Sequence, residues 1–213
     1  MNISTHLANL RKRKFQWLNT RLLVLIILFY FSFGISGYAL LLPYLGFTGP
    51  IHTRLFELPA LFFYLHTIGG AAALILAPFQ LLKQKTNRRH KIRGYAYVGS
   101  VVLSSIGGFY MAQEAYGGLS STIALTMLAI TWLVTTYLGV FKALTHQFNA
   151  HREWMIRSIA LTFSAITLRL ISPGIYQFFN LYEAQQIIYW SCWPINLLIA
   201  EYYIRFHLSK AYR

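Results

Sequence analysis

Four residues that lie within or beside long apolar stretches could carry chemistry: His66, His90, His151 and Arg169. Histidines at matched depth on two helices can hold a metal or a haem iron. We therefore predict that His90 and His151 form a metal-binding pair, with b-type haem as the cofactor. His66 is a further cofactor-binding candidate, as an outer ligand or a quinone contact. Arg169 would pair with an anion such as a haem propionate, and no residue is assigned a catalytic role.

Each of these side chains also has a plainer interpretation. His66, deep in an apolar stretch, fits a neutral imidazole that is hydrogen-bonded to a neighbouring hydroxyl. His90 and His151 fit residues of the lipid head-group layer. Arg169 precedes Pro173 by only a few residues, so its side chain could extend to the outer surface. The residue types alone leave both interpretations open.

The residues that precede Arg169 indicate a polar stripe on one helix. His151 and Arg169 are 18 residues apart, which is five turns of an α-helix and about 27 Å along its axis. Between them on much the same face lie Met155, Ser158, Thr162 and Ala165. The stripe would therefore run from one membrane boundary to the other.

Two of the histidines are followed by a glycine at the same spacing. Gly70 follows His66 by four residues, and Gly94 follows His90 by four. This spacing puts each glycine on the same helix face as its histidine. Either a flat ligand or a neighbouring helix could approach at such a place.

Six long apolar stretches must position these residues. They cover about 21–43, 58–82, 92–112, 120–143, 154–172 and 184–206. Each is near the ~20 residues that cross ~30 Å of hydrocarbon, and backbone groups in lipid must be hydrogen-bonded within the chain, which favours helices. We predict an all-α fold, a polytopic membrane bundle of six transmembrane helices (21–206), preceded by a basic segment (1–20) and followed by a short tail (207–213).

The positive charges predict the orientation of this bundle. Seventeen of the nineteen Lys and Arg residues fall within 11–21, 83–93, 142–157 and 205–213, and only Arg54 and Arg169 do not. Basic loops remain cytoplasmic because they translocate poorly. We therefore predict cytoplasmic N- and C-termini in a multi-pass protein of a bacterial inner membrane.

Composition excludes several classes of protein. The chain is 56% hydrophobic and 11% charged, whereas soluble domains carry about 25% charged residues. The net charge of +14 does not indicate nucleic-acid binding, because the basic residues cluster at span ends and suit an anionic lipid surface. The predicted partner is therefore the lipid bilayer, with no nucleic acid.

Missing residues and motifs narrow the chemistry. Cys192 is the single cysteine, so neither an intrachain disulfide nor a cysteine-based zinc site can form. The chain has no Asp, no phosphate-binding glycine loop, no Gly-x-Ser-x-Gly and no His-Glu-x-x-His. Whether the protein is an enzyme stays open. Among its ionisable pairs, Glu201 is spaced to pair with Arg205, and Glu153 with Arg157.

Three stretches resemble a bacterial family of multi-pass membrane proteins known as domain of unknown function 2306. They are 66–80 with 89–94, then His-Arg-Glu-Trp-Met-Ile-Arg at 151–157 through Arg169, and Trp-Pro-Ile-Asn at 193–196 through Glu201. The resemblance covers about 60–205 and implies a helical membrane fold. It implies no reaction. Glu153 departs from the base or neutral residue expected there.

Three hypotheses of function follow from these patterns. The first is a haem- or quinone-linked redox protein that uses the intramembrane histidines. The second is a small transporter or channel for a proton or small solute, lined by the polar stripe. The third is a membrane assembly partner without a ligand, in which polar residues only hold helices together.

Overall fold

Helices are the only regular secondary structure of the described residues, which contain no strand, as predicted. The computed structural model describes residues 59–81 and 88–208, together with six helical positions between Leu23 and Gly34. Its helices are α1 (Ala60–Leu81), α2 (Arg88–Gln113), α3 (Gly118–Leu144), α4 (Phe148–Thr162), α5 (Ser164–Ile175) and α6 (Leu181–Tyr203), which continues as a π-helix, Ile204–Leu208. The predicted segment 1–20, most of the span 21–43 and the last five residues lie outside the described residues.

Four helical stretches in the described residues are long and apolar enough to cross a membrane. They are Ala60–Gln80, Arg88–Gln113, Gly118–Leu144 and Phe148–Ile175. The last of these contains both α4 and α5, because only Phe163 separates the two helices. The prediction of an all-helical membrane protein is therefore confirmed. The count of six spans and the side of the membrane on which the termini lie remain predictions.

The first four helices form an up-and-down bundle. α1 packs along α2, α2 along α3, and α3 along α4, which also contacts α1. Short connections at 114–117 and 145–147 make α2 and α3, and then α3 and α4, antiparallel. As a consequence, α2 and α4 run in the same direction. α6 packs on the outside of this bundle, against α3, α4 and α5.

Two glycines allow the backbones of α1 and α2 to touch. A Cβ added at Gly107 would lie 2.3 Å from the Phe62 carbonyl oxygen and 2.6 Å from the His66 amide nitrogen. A Cβ at Gly69 would lie 2.7 Å from the Ser104 amide nitrogen. Because these neighbours are backbone atoms that cannot move aside, the small residues set the distance between the two helices.

The fifth predicted span is a helix that is interrupted at one residue, Phe163. α4 ends at Thr162 and α5 begins at Ser164. From α6, the amide nitrogen of Asn196 donates to the Ala160 carbonyl at 3.1 Å, and its amide oxygen accepts from the Thr167 hydroxyl at 2.9 Å. A side chain that bonds a helix carbonyl in this way is a recognised cause of a kink.

The ends of this interrupted helix differ from the predicted span. The helix begins at Phe148, not at 154, so His151 lies in its first turn. Pro173 lies inside α5 and does not end it. The chain leaves the helix after Ile175 instead.

Candidate functional site

One hydrogen bond sets the register of the parallel helices α2 and α4. The Tyr97 hydroxyl lies 2.9 Å from the Ser158 Oγ. His90 precedes Tyr97 by seven residues, and His151 precedes Ser158 by seven. Both histidines therefore lie about two turns, ~10 Å, from this bond and on the faces that make it. We call these two residues the inner pair.

The ring of His151 is held in one orientation. Its Nδ1 lies 2.7 Å from the Gly139 carbonyl oxygen of α3. A carbonyl only accepts, so Nδ1 carries the donated proton, and in the neutral imidazole Nε2 then carries the lone pair. Metal-ligating histidines commonly donate their other ring N–H to a backbone carbonyl in this manner. His151 therefore has the orientation of a metal ligand.

Space remains beside Gly94, one turn after His90. His90 is half-buried in the first turn of α2. A Cβ built at Gly94, one turn further along, would meet no atom within 4 Å. The glycine that follows His90 is thus not used for helix packing. By contrast, a Cβ at Gly70, which follows His66, would lie 3.2 Å from the Ser104 Oγ, so that glycine serves the contact between helices.

Two histidines suit a haem better than a bare metal ion. Protein sites for zinc use three or four side-chain ligands. Within 59–81 and 88–208, no group of three or more His, Cys, Asp or Glu side chains comes together. A haem iron already has four porphyrin nitrogens and needs only one or two axial ligands from the protein. The residues of the inner pair fit that requirement.

A closed ring of hydrogen bonds lies at the centre of the bundle, between α2, α3 and α4. The Trp132 indole N–H donates to the Thr162 hydroxyl at 3.1 Å, and Thr162 lies 2.7 Å from the Tyr97 hydroxyl. Tyr97 lies 2.9 Å from Ser158, which lies 2.7 Å from Thr136. Thr136 donates to the Trp132 carbonyl at 2.7 Å. If each group donates once in this order, every proton of the ring has an acceptor.

Sequence reasoning included Ser158 and Thr162 in its stripe but missed Tyr97. Tyrosine in an apolar stretch is common, so the residue type alone gave no signal. The spacing did contain one, because His90, Tyr97 and Ser104 recur at intervals of seven residues. Such residues share one face of a helix.

His66 lies in the opposite half of the bundle from the inner pair. Its Nδ1 lies 2.9 Å from the Ser104 carbonyl oxygen, and the Ser104 hydroxyl donates to the His66 carbonyl at 3.0 Å. Ser104 follows His90 by 14 residues on α2, which is about 21 Å along the helix. His66 therefore cannot share an iron with His90 and His151.

Arg169 turns back along its own helix. Its Nη1 donates to the Ala165 carbonyl at 2.8 Å, so this arm of the guanidinium bonds to the preceding turn. Since Arg169 follows His151 by 18 residues along this helix, it lies, like His66, in the half of the bundle away from the inner pair. We call His66 and Arg169 the outer pair for this shared position. The four predicted site residues thus fall into two groups, one in each half of the bundle.

One of the two predicted ion pairs needs correction. Arg157 binds Glu201 of α6 through two hydrogen bonds, of 2.5 and 3.2 Å, and its guanidinium lies 4.6 Å from the Trp154 ring centroid. It is therefore Glu201, not Glu153, that neutralises Arg157. The predicted pair of Glu201 and Arg205 also forms, at 3.6 Å, but Arg205 is largely exposed. A residue distant in sequence provides the closer partner.

The geometry can be compared with known families. The family described as "Predicted membrane protein (DUF2306)" matches residues 63–204 of the 213-residue chain. The chain belongs to this family. Both the inner and the outer pair lie inside the matched segment, and the resemblance expected from the three motif stretches is confirmed. No curated protein and no solved structure matches the chain significantly. The family description supports a membrane protein and names no reaction.

Proposed function

We propose that this chain is a redox protein of a bacterial inner membrane that binds one b-type haem between His90 and His151. The observation that carries the proposal is the inner pair itself. Two parallel helices present histidines at one level, and the Gly139 carbonyl turns one of them so that Nε2 is the ligating atom. When bound, the haem would supply a one-electron couple within the membrane.

Charge at the inner end favours the same ligand. Arg93 lies within electrostatic reach of His90, and its guanidinium lies 5.5 Å from the Phe79 ring centroid. A haem carries two propionates, and guanidinium groups bind carboxylates well. The positive charge that would repel a bare metal cation therefore suits this anionic cofactor.

The described residues favour a single haem. α3 carries no histidine between Gly118 and Leu144. His66 is the one histidine of α1, and its Nδ1 bonds to the backbone of α2. A second bis-histidine site would need another histidine at the level of His66, and none lies there in the described residues.

The ring of hydroxyl groups bears on the other two hypotheses. It lies on the polar stripe between the two pairs, and Tyr97 within it is fully buried. A ring whose donors are all satisfied suits the binding of helices to each other, so it favours assembly as the second candidate function. A water-filled transport path would have to open this ring.

Absorption spectroscopy tests the haem directly. The protein would be expressed with added haem, purified in detergent and measured oxidised and after reduction with dithionite. We expect a Soret band that sharpens on reduction and that is lost in His90→Ala and in His151→Ala. His146→Ala is the matched control, because His146 is exposed in the turn at the same end. A colourless protein, or a band that survives both variants, would refute the proposal.

A further inference from the structure

We infer that Gln80 of α1 is a third binding residue of the inner site, and that its side-chain amide donates a hydrogen bond to a carboxylate of the cofactor. This role rests on the proposed function, because the carboxylate is a propionate of the haem between His90 and His151. Two features of Gln80 support it: its position opposite His90, and a buried N–H group that has no acceptor.

The contact between α1 and α2 places Gln80 opposite His90. On α1, the His66 Nδ1 lies 2.9 Å from the Ser104 carbonyl oxygen of α2. Gln80 follows His66 by 14 residues, and His90 precedes Ser104 by 14. The two helices run in opposite directions, and 14 residues are close to four full turns. Gln80 and His90 therefore lie at one level, on the sides of α1 and α2 that face each other.

A second contact shows that the same register holds near the inner end of these helices. The guanidinium carbon of Arg93 lies 5.5 Å from the Phe79 ring centroid. Phe79 directly precedes Gln80, and Arg93 follows His90 by three residues. The positive charge of Arg93 is thus held close to the turn of α1 that carries Gln80.

Gln80 lies on the side of α1 that faces the bundle interior. Ala73 and Ala77, seven and three residues before it, share this side. Both alanines are fully buried in the core that also contains Tyr97. His90 precedes Tyr97 by seven residues, as Gln80 follows Ala73 by seven. α1 therefore adds Gln80 at the level where the other three helices provide His90, His151 and the Gly139 carbonyl.

The amide of Gln80 has a hydrogen bond to donate. Its Nε2 is a buried atom with no hydrogen-bond partner among the described residues. A buried N–H group without an acceptor is unfavourable, so an acceptor that arrives with a ligand restores the lost bond. The hydrogen-bond acceptors of haem b are its propionates, and a bond to an ionised carboxylate is about twice as strong as a neutral one. Arg93, on the facing turn, provides the opposite charge.

Two iron porphyrins test this role when they are titrated into the haem-free protein in detergent. One is haem b, and the other is iron octaethylporphyrin, which carries no carboxylate. We expect Gln80→Leu to weaken the binding of haem b about tenfold, since it removes a hydrogen bond to a charged group, and to leave the binding of octaethylporphyrin unchanged. The control is Gln113→Leu, which changes an exposed glutamine at the outer end of α2 and should bind both porphyrins like the wild type.

Stability distinguishes a binding role from a packing role. Gln80→Leu removes a donor without a partner, so the haem-free variant should resist dodecyl sulfate at least as well as the wild type. Gln80→Met, which is unbranched like glutamine, should behave in the same way and guards against a packing defect.

The outcomes separate this role from the proposed function. Equal loss of affinity for both porphyrins, or undiminished binding of haem b by Gln80→Leu and Gln80→Met, would overturn the role of Gln80 and leave the haem site in place. A wild type that binds neither porphyrin would refute the haem site itself, and the role of Gln80 with it.

Discussion

At the scale of single residues, the ring of hydroxyl groups has a direction, because each hydrogen bond has one donor and one acceptor. Trp132 donates to Thr162, whose own proton has two acceptors within reach, the Tyr97 hydroxyl at 2.7 Å and the Ser158 carbonyl at 3.0 Å. Thr162 can therefore lose Tyr97 and still donate. The Trp132 N–H has no such second acceptor in the ring. Loss of the Thr162 hydroxyl therefore leaves a donor without an acceptor in the ring, whereas loss of the Tyr97 hydroxyl does not leave Thr162 without one.

We expect Thr162→Val to destabilise the protein more than Tyr97→Phe does. Thr162→Val removes the hydrogen-bond acceptor of the Trp132 N–H. A buried polar group without a partner lowers the free energy of unfolding by about 1–3 kcal/mol. Tyr97→Phe should cost about 1 kcal/mol, near the average for one hydrogen bond. Unfolding by increasing dodecyl sulfate in mixed micelles, followed by circular dichroism, measures both. The control is Ser100→Ala, which loses only a bond to Ala96 of its own helix. Equal losses would show that the ring has no such direction.

At the scale of helices, the backbone contact between α1 and α2 predicts how glycine substitutions change the stability of the protein. Gly107→Ala places a methyl group 2.3 Å from a backbone oxygen of α1, so the helices must separate. We expect a loss of about 2 kcal/mol or more in the same micelle assay, because overpacked sites typically cost 1–3 kcal/mol. Gly99→Ala on the same helix meets open space and should be neutral or stabilising by up to about 1 kcal/mol, from helix propensity. Similar effects of the two substitutions would contradict the backbone contact.

The interruption between α4 and α5 shows what local sequence cannot reveal. Residues 154–172 contain no Pro or Gly, so the sequence predicts one uninterrupted helix up to Pro173. The interruption occurs at Phe163, close to the Ala160 carbonyl that Asn196 of α6 bonds. Its partner is 36 residues away, and no spacing rule within one helix contains that information. The same limit explains Arg157, whose partner Glu201 is 44 residues away.

At the scale of the whole molecule, orientation is the property most open to test. Cys192 is fully buried, so introduced cysteines can be labelled against a low background. A membrane-impermeant maleimide added to intact cells should label Glu114→Cys, in the turn after α2. It should label Asn149→Cys, exposed at the start of α4, only after the membrane is permeabilised, because the basic loops face the cytoplasm. The reverse pattern would invert the proposed orientation.

The helices and one polar helix face could be predicted from the sequence. The length of the apolar stretches predicts the helices, and the spacing of His151, Ser158 and Thr162 predicts the polar stripe. Matched depth was enough to propose His90 with His151. Distances between helices were not predictable, because they depend on contacts such as that of Gly107 with Phe62. The sequence could therefore pair His90 with His151 and set His66 apart as an outer residue, but it could not show that His66 bonds to Ser104 of α2.

The backbone contact between α1 and α2 also has a consequence for biosynthesis. The two helices are neighbours in sequence, so they can pair as soon as α2 enters the membrane, before α3 leaves the ribosome. His66 and Ser104 bond to each other across this contact. A polar imidazole alone in hydrocarbon is unfavourable. Early pairing therefore gives the nascent chain a partner for His66 before the rest of the bundle exists.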